Sequence, residues 1–175
     1  MGTALVVIDV QNDYFPGGRY PLWNTDATLD IIEQAIARAQ GAGIPVILVQ
    51  HVAKGAAPFF TRGTDGVELH PRIRAAAPDA PVVVKEYADS FLETPLEQTL
   101  TDLGVTELII CGMMTQNCVT HTAISRRTEK YRVSILADGC TTVDEMIHRI
   151  ALAGIAPRVP LVTLQEAFQP PAGSP

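Results

Sequence analysis

A chain of 175 residues with 47% hydrophobic and 18% charged residues can close one sizeable core, so a single domain over 1–175 is expected. Its formal net charge of -6 argues against a nucleic-acid partner, and no apolar run approaches the ~18–20 residues of a membrane span. Cys111, Cys118 and Cys140 form no CxxC pair, which argues against a disulfide framework and for a cytoplasmic home, with no signal peptide expected ahead of the first strand.

Residues 4–8 are continuously apolar and rich in β-branched side chains, the pattern of a strand buried on both faces. The strand stops at Asp9. Thr25 or Asp26 is placed to cap a helix whose apolar face is Leu29, Ile32, Ala35, Ile36 and Ala39, ended by Gly41 and Gly43. A second strand is expected over 44–49. Residues 52–80 are rich in Gly, Pro and Ala and read as an irregular excursion bordering a cleft, with a short turn of helix. A third strand covers 81–85. Thr94-Pro95 opens a helix running to about Leu103. A fourth strand at 108–111 is followed by a helix over 118–130, then a strand at 133–137, a helix at 144–153 and a short sixth strand at 161–164. The tail, 170–175, reads as frayed.

Strands alternating with helices imply an α/β fold. We expect a mostly parallel six-stranded sheet with helices on both faces, a Rossmann-like three-layer α/β/α arrangement. Ligands of such sheets bind beyond the carboxyl ends of the strands. Three polar groups stand there: Asp9 after the first strand, Lys85 at the end of the third, and Cys118 just after the fourth. A cysteine at a strand-to-helix turn sits where first-turn amides favour the thiolate, and Lys85 would favour it further. Asp9 could take the thiol proton and return it to a leaving group. Burial would raise the pKa of Asp9 and the lysine would pull it back. Amides at the turn could hold a developing oxyanion.

These residues stand in three longer segments. The first is Val7-Ile8-Asp9-Val10-Gln11-Asn12-Asp13-Tyr14-Phe15. The second is Val84-Lys85 with Ser90-Phe91 and Thr94-Pro95-Leu96, and the third is Gly112-Met113-Met114-Thr115-Gln116-Asn117-Cys118-Val119 with Thr122-Ala123. With Gly63-Thr64-Asp65-Gly66 and Glu68-Leu69-His70-Pro71, the chain resembles the isochorismatase-like cysteine hydrolase superfamily, which includes nicotinamidases and N-carbamoylsarcosine amidases. The resemblance implies a catalytic triad of Asp9, Lys85 and Cys118. It also implies a cis peptide between Met113 and Met114 that aims the Met114 amide, beside that of Cys118, at the substrate oxygen. The implied reaction is hydrolysis of a small amide, carbamoyl or related C–N bond through a thioester. The alternatives are isochorismate-type vinyl-ether hydrolysis with Asp9 as the acid, and a non-catalytic member that binds a small molecule and carries Cys118 as a redox-sensitive thiol. The partner expected is a small-molecule substrate, with no nucleic acid or membrane, in a homodimer or homotetramer.

The chain departs from the family pattern in places. Nicotinamide-hydrolysing relatives carry an Asp-x-His metal pair and a later His, whereas Val49-Gln50-His51 lacks that Asp. His51 and His70 are too few for a closed site, so no metal and no cofactor is expected. Ser125 and Arg126 stand where relatives carry Asp and Ala, and Lys130 where they carry Gly. Phe15, Tyr20, Trp23, Phe59 and Phe60 fall in loops at the cleft, and Phe15, Trp23, Gln116 and Asn117 are the candidates for substrate contact. Cys111 reads as core packing and Cys140 as a loop residue.

Overall fold

The computed structural model describes residues 2–169. The expected fraying of 170–175 lies outside them. Six strands form one sheet: β1 (Gly2–Ile8), β2 (Val46–His51), β3 (Val82–Lys85), β4 (Val105–Met113), β5 (Arg132–Thr141) and β6 (Leu161–Val162). Every strand pairing is parallel, in the order β3-β2-β1-β4-β5-β6. β1 is central, with Ala4 through Ile8 buried, as its unbroken apolar run requires. The chain steps outward from β1 in one direction and restarts at β4 in the other. The crevice between β1 and β4 is therefore the topological switch point.

Helix α1 (Thr25–Gly41) buries Leu29, Ile32, Ala35, Ile36 and Ala39, the face that the spacing specifies. Asn24 in a left-handed conformation, not Thr25 or Asp26, precedes its first turn. α1 packs on β1, β2 and β5, with α2 (Pro71–Ala76) and α6 (Leu164–Ala167) beside it. α3 (Leu96–Asp102) packs on β4, and α4 (Thr120–Ala123) and α5 (Glu145–Ile155) pack on β5. No helix among the described residues is long and apolar enough to cross a membrane.

Three further expectations are corrected. The helix over 118–130 is three pieces: a π-helical turn (Thr115–Val119), α4, and a 3-10 turn (Arg126–Lys130). Ser125 divides the last two. It leaves helical geometry, its Oγ accepts from Arg127 N, and it donates to Asp89 Oδ2 at 2.7 Å. Cys140 lies inside β5, not in a loop. The register jumps from Ile110↔Ile135 to Gly112↔Cys140, and the strand resumes past that bulge. The sixth strand is two residues long because Thr163 caps α6 through a capping box with Glu166.

Gly112 explains how closely β1 and β4 approach. Its φ is +123°, and a Cβ there would lie 2.0 Å from the Ile8 carbonyl oxygen. Only glycine fits. The next residues turn out of the sheet at the switch point, and the Met113–Met114 peptide is cis.

Candidate active site

The strand ends bring Asp9, Lys85 and Cys118 together. Lys85 Nζ lies 2.8 Å from Asp9 Oδ2 and donates to Cys118 Sγ at 3.2 Å. The three residues are 0%, 1% and 2% exposed, in that order. Asp9 follows β1 directly and adopts φ 52°, a left-handed conformation that aspartate tolerates better than most residues. This turn is held by Asp9 N donating to Val49 O and Gln11 N donating to Asp9 O. Cys118 sits in the π-helical turn, whose Asn117 and Val119 amides donate to the Met114 carbonyl.

The electrostatics differ from the simple expectation for the thiol. Burial pushes the Cys118 thiol up, the Asp9 carboxylate pushes it further, and Lys85 offsets only part of this. The resting group is a thiol, not the thiolate expected from a helix terminus beside a lysine. Burial also opposes the charge on Lys85, but Asp9 and then Cys118 outweigh it and raise its pKa. The lysine is a firmly held ammonium. In a dry site these interactions are stronger than they would be in water.

Two groups absent from the expected site stand beside it. His51 ends β2 and is paired in register with Lys85, so its Nδ1 lies 3.0 Å from Nζ. The ammonium has a fourth neighbour, the Tyr87 carbonyl, at 3.0 Å. Burial and then the Lys85 charge lower the pKa of His51, so its ring is neutral. Tyr14 is buried, and its phenol is pushed up by burial and then by the Asp9 charge. Its ring packs on Phe60 at 4.6 Å and Phe59 at 5.6 Å, while Phe60 lies 5.8 Å from the His51 ring. Applying the strand-end rule to β2 finds His51. Tyr14 falls inside the first of the family-like segments, but neither its residue type nor its spacing assigns it a place at the site.

The loops are tied down by polar side chains. Gln11 donates to the carbonyls of His51 and Val67 and accepts from His51 N. Asp13 accepts from Phe60 N at 2.7 Å and Arg19 N at 3.1 Å. Gly66 is required beside it, since a Cβ there would overlap the Asp13 carboxylate.

The remaining candidates are spread more widely. Met114 precedes the π-helical turn and is buried. Gln116 is half-buried, with Oε1 unpartnered among the described residues. Asn117 turns its carbonyl to His121 Nδ1 at 2.8 Å. Phe15 packs on His70 at 4.3 Å and borders a cleft of about 620 Å³ between residues 12–19 and 64–71, whose lining does not include Asp9, Lys85 or Cys118. Trp23 lies 5.8 Å from the His148 ring, and His148 meets Thr115 of the π-helical turn at 2.8 Å. Trp23 therefore reaches the cysteine-bearing turn through a histidine.

Asp9, His51 and Cys118 offer donor atoms within 4.8 Å of one another, the one such trio among the described residues. Lys85 Nζ is within hydrogen-bonding distance of all three, so the protein's own ammonium stands where a cation would bind. His70 does not join them. It caps α2 by accepting from Arg72 N. The residues present do not fit the Asp-x-His metal site of nicotinamide-hydrolysing relatives.

A family model described as Isochorismatase domain matches residues 3–167. The chain is 38% identical over 149 residues to the isochorismatase family protein YddQ of Bacillus subtilis, covering 85% of this chain and 82% of YddQ. It is 27% identical over 178 residues to the nicotinamidase of Escherichia coli, covering 81% and 84%. The crystal structure of an isochorismatase-like hydrolase from Alkaliphilus metalliredigens superposes with a TM-score of 0.87 at 22% identity, covering 97% of this chain and 98% of that one, a likeness of fold.

Proposed function

The chain belongs to the isochorismatase family of hydrolases, and on that premise we propose that it cleaves a small amide, carbamoyl or related C–N bond through a cysteine thioester. The observation that carries this reading is the buried contact of Lys85 Nζ with Asp9 Oδ2 and Cys118 Sγ. The nicotinamidase relative supports an amide substrate.

The steps follow from the resting protonation states. The Cys118 thiol gives its proton to Asp9 as Sγ attacks the substrate carbonyl carbon. Lys85 stays an ammonium and holds the sulfur as its charge develops. The N–H groups of Met114 and Cys118 receive the oxyanion. As the C–N bond breaks, protonated Asp9 gives its proton to the departing nitrogen, leaving an acyl group on sulfur. Asp9, again a carboxylate, takes a proton from water, and the resulting hydroxide attacks the thioester carbonyl. The acid leaves, and the proton returns to Cys118. No step draws on a metal or cofactor. Tyr14, Phe59 and Phe60 wall the site, and Gln116 with its unpartnered Oε1 contacts substrate. Assembly into a homodimer or homotetramer is part of the same proposal, and sedimentation velocity tests it.

Ammonia release across a panel of small amides tests the chemistry. Cys118→Ala should lower turnover by roughly 10³-fold or more while the protein stays folded. Turnover retained by Cys118→Ala but lost by Asp9→Asn would replace this reading with vinyl-ether-type hydrolysis, in which Asp9 is the acid.

A further inference from the structure

Helix α5 is apolar on the side that faces away from the molecule. Its inner side is Ile155, which is buried, with His148, Ala151 and Leu152 half-buried. At about 3.6 residues per turn the opposite side carries Met146, Ile147, Ile150, Ala153 and Gly154. All five are exposed, and Met146 at 65% and Ile150 at 63% are the most exposed large hydrophobic side chains among the described residues. Helix α1 shows the ordinary pattern, with Asp26, Asp30, Gln34 and Arg38 on its outer side. On α5 the charged side chains, Glu145 and Arg149, stand at the margin of the apolar face, where Arg149 Nη2 meets Glu145 Oε1 at 2.6 Å.

Gly154 says what kind of surface this is. It is helical and exposed, and a Cβ there would meet nothing within 4 Å. Nothing inside the chain requires glycine at that position, and glycine weakens a helix relative to alanine. A face that lets another element approach its backbone closely does require it. We propose that the Met146–Ile150–Gly154 face of α5 pairs antiparallel with the same face of a second copy of this chain. The row tapers from large to small along the helix, so it complements itself only when reversed. With Ile150 on a two-fold axis, Met146 of each copy seats over Gly154 of the partner subunit, and Ile147 over Ala153 of the partner subunit. The ends match in charge as well. Asp144 and Glu145 open the helix, and Arg158 lies just past its end with no ion pair among the described residues. Reversal brings the acidic end of one copy to the basic end of the other. The inference rests on the homo-oligomer reading and names the surface that forms it.

A lipid surface fits this face less well. Helices that lie in a membrane interface carry a lysine- and arginine-rich border, whereas Asp144 and Glu145 here balance Arg149 and Arg158, on a chain of net charge -6. The face is only as long as its 11-residue helix, so the pair stands at the small end of specific interfaces and dissociates in the roughly micromolar range. The inner side of α5 carries His148, which meets Thr115 of the cysteine-bearing turn at 2.8 Å. The pairing face and the candidate site therefore lie on opposite sides of one helix, and a change on the outer side leaves the catalytic groups untouched.

Sedimentation velocity of the full chain over roughly 1–200 µM reads the association. Ile150→Lys sets two ammonium groups against each other on the axis. It should weaken association by roughly 100-fold or more, turning dimers into monomers or tetramers into dimers, with an unchanged circular dichroism spectrum. Gly154→Leu fills the space that Met146 needs and should weaken association by about tenfold or more, although it adds apolar surface. The double variant Met146→Ala/Gly154→Leu exchanges large for small and should recover most of that loss. Association unchanged in Ile150→Lys, or strengthened by Gly154→Leu as a merely adhesive patch would be, overturns the pairing. A double variant no better than Gly154→Leu alone overturns the antiparallel register. A wild type that stays monomeric throughout sinks the homo-oligomer reading and this surface with it, and its cosedimentation with phosphatidylglycerol vesicles would give the face to a lipid surface. An oligomer that Ile150→Lys leaves intact sinks this surface alone.

Discussion

At the carboxyl edge of the sheet Lys85 faces Asp9 at 2.8 Å with both side chains shut away from water. On the outer surface Glu97 of α3 holds Lys130 at 2.6 Å and Arg127 at 2.9 Å in open solvent. The distances are alike and the physics is not. The surface charges keep most of their hydration, and salt screens them. The buried charges have lost their water and depend on each other, with Cys118, His51 and the Tyr87 carbonyl supplying the remaining contacts. A buried pair of this kind is poor evidence of stability in itself. It is an arrangement in which the loss of one partner leaves the other stranded, and this sequence keeps it where the sheet topology opens its crevice.

The sharpest way to test that contrast is to strand the carboxylate. Lys85→Met should destabilise the protein by about 3–5 kcal/mol in urea denaturation and abolish turnover. The double variant Asp9→Asn/Lys85→Met removes both charges, and Asn is suited to the left-handed backbone at that position. It should be more stable than Lys85→Met alone by about 2 kcal/mol and remain inactive. Equal stabilities for the single and double variants would mean that the two charges are not coupled.

The pH window separates the two clusters next. The pKa of Lys85 is raised in the folded state. Its contribution is therefore full below its ordinary value of about 10.4 and lost as pH rises through the raised one. Glu97 is held below its ordinary value, chiefly by the hydrogen bond from Lys130. Its contribution is present above that ordinary value and is lost as pH falls through the lowered one. The stability gap between wild type and Lys85→Met should close on the alkaline side, and the small gap for Glu97→Gln, readable only at low salt where screening is weak, on the acid side. Closure of both gaps on one side would break the comparison.

The same contrast decides what the sequence reveals. An unbroken apolar run such as residues 4–8 has one reading, a doubly buried strand, and the α1 face repeats at helical spacing. Asp9, Lys85 and Cys118 follow from one rule about strand ends. His51 obeys that rule too, but its meaning depends on the register that sets it beside Lys85, and register between parallel strands is a long-range property. The thiol state of Cys118 is likewise set by burial that only tertiary packing creates. β5 was obscured because Asp138 and Gly139 read locally as a loop, although they lie in the bulge that carries Cys140 back into the sheet. The break at Ser125 had a local sign, a small hydroxyl residue able to start a new turn, within a stretch otherwise compatible with one helix. Thr163-Leu164-Gln165-Glu166 carries the capping-box pattern in plain view, yet a helix of four residues leaves no periodicity to support it.

Glu97→Gln should have the smallest effect. Both its cations lie on the 3-10 turn after Ser125, so their ion pairs fasten that turn to α3 and not the sheet to itself. The turn also has side-chain bonds of its own, with Thr128 Oγ1 donating to Ser125 O at 2.6 Å and Ser125 Oγ accepting from Arg127 N. Loss of the carboxylate should therefore leave the melting curve indistinguishable from wild type at ~0.15 M salt, where the Debye length is about 8 Å. The change should be confined to faster amide hydrogen exchange over 126–130, and raising the salt should make the wild-type turn exchange more like the variant's. A Glu97→Gln protein destabilised as much as Lys85→Met would show that solvent exposure does not divide these two clusters, and the energetic meaning of the buried trio would need another source.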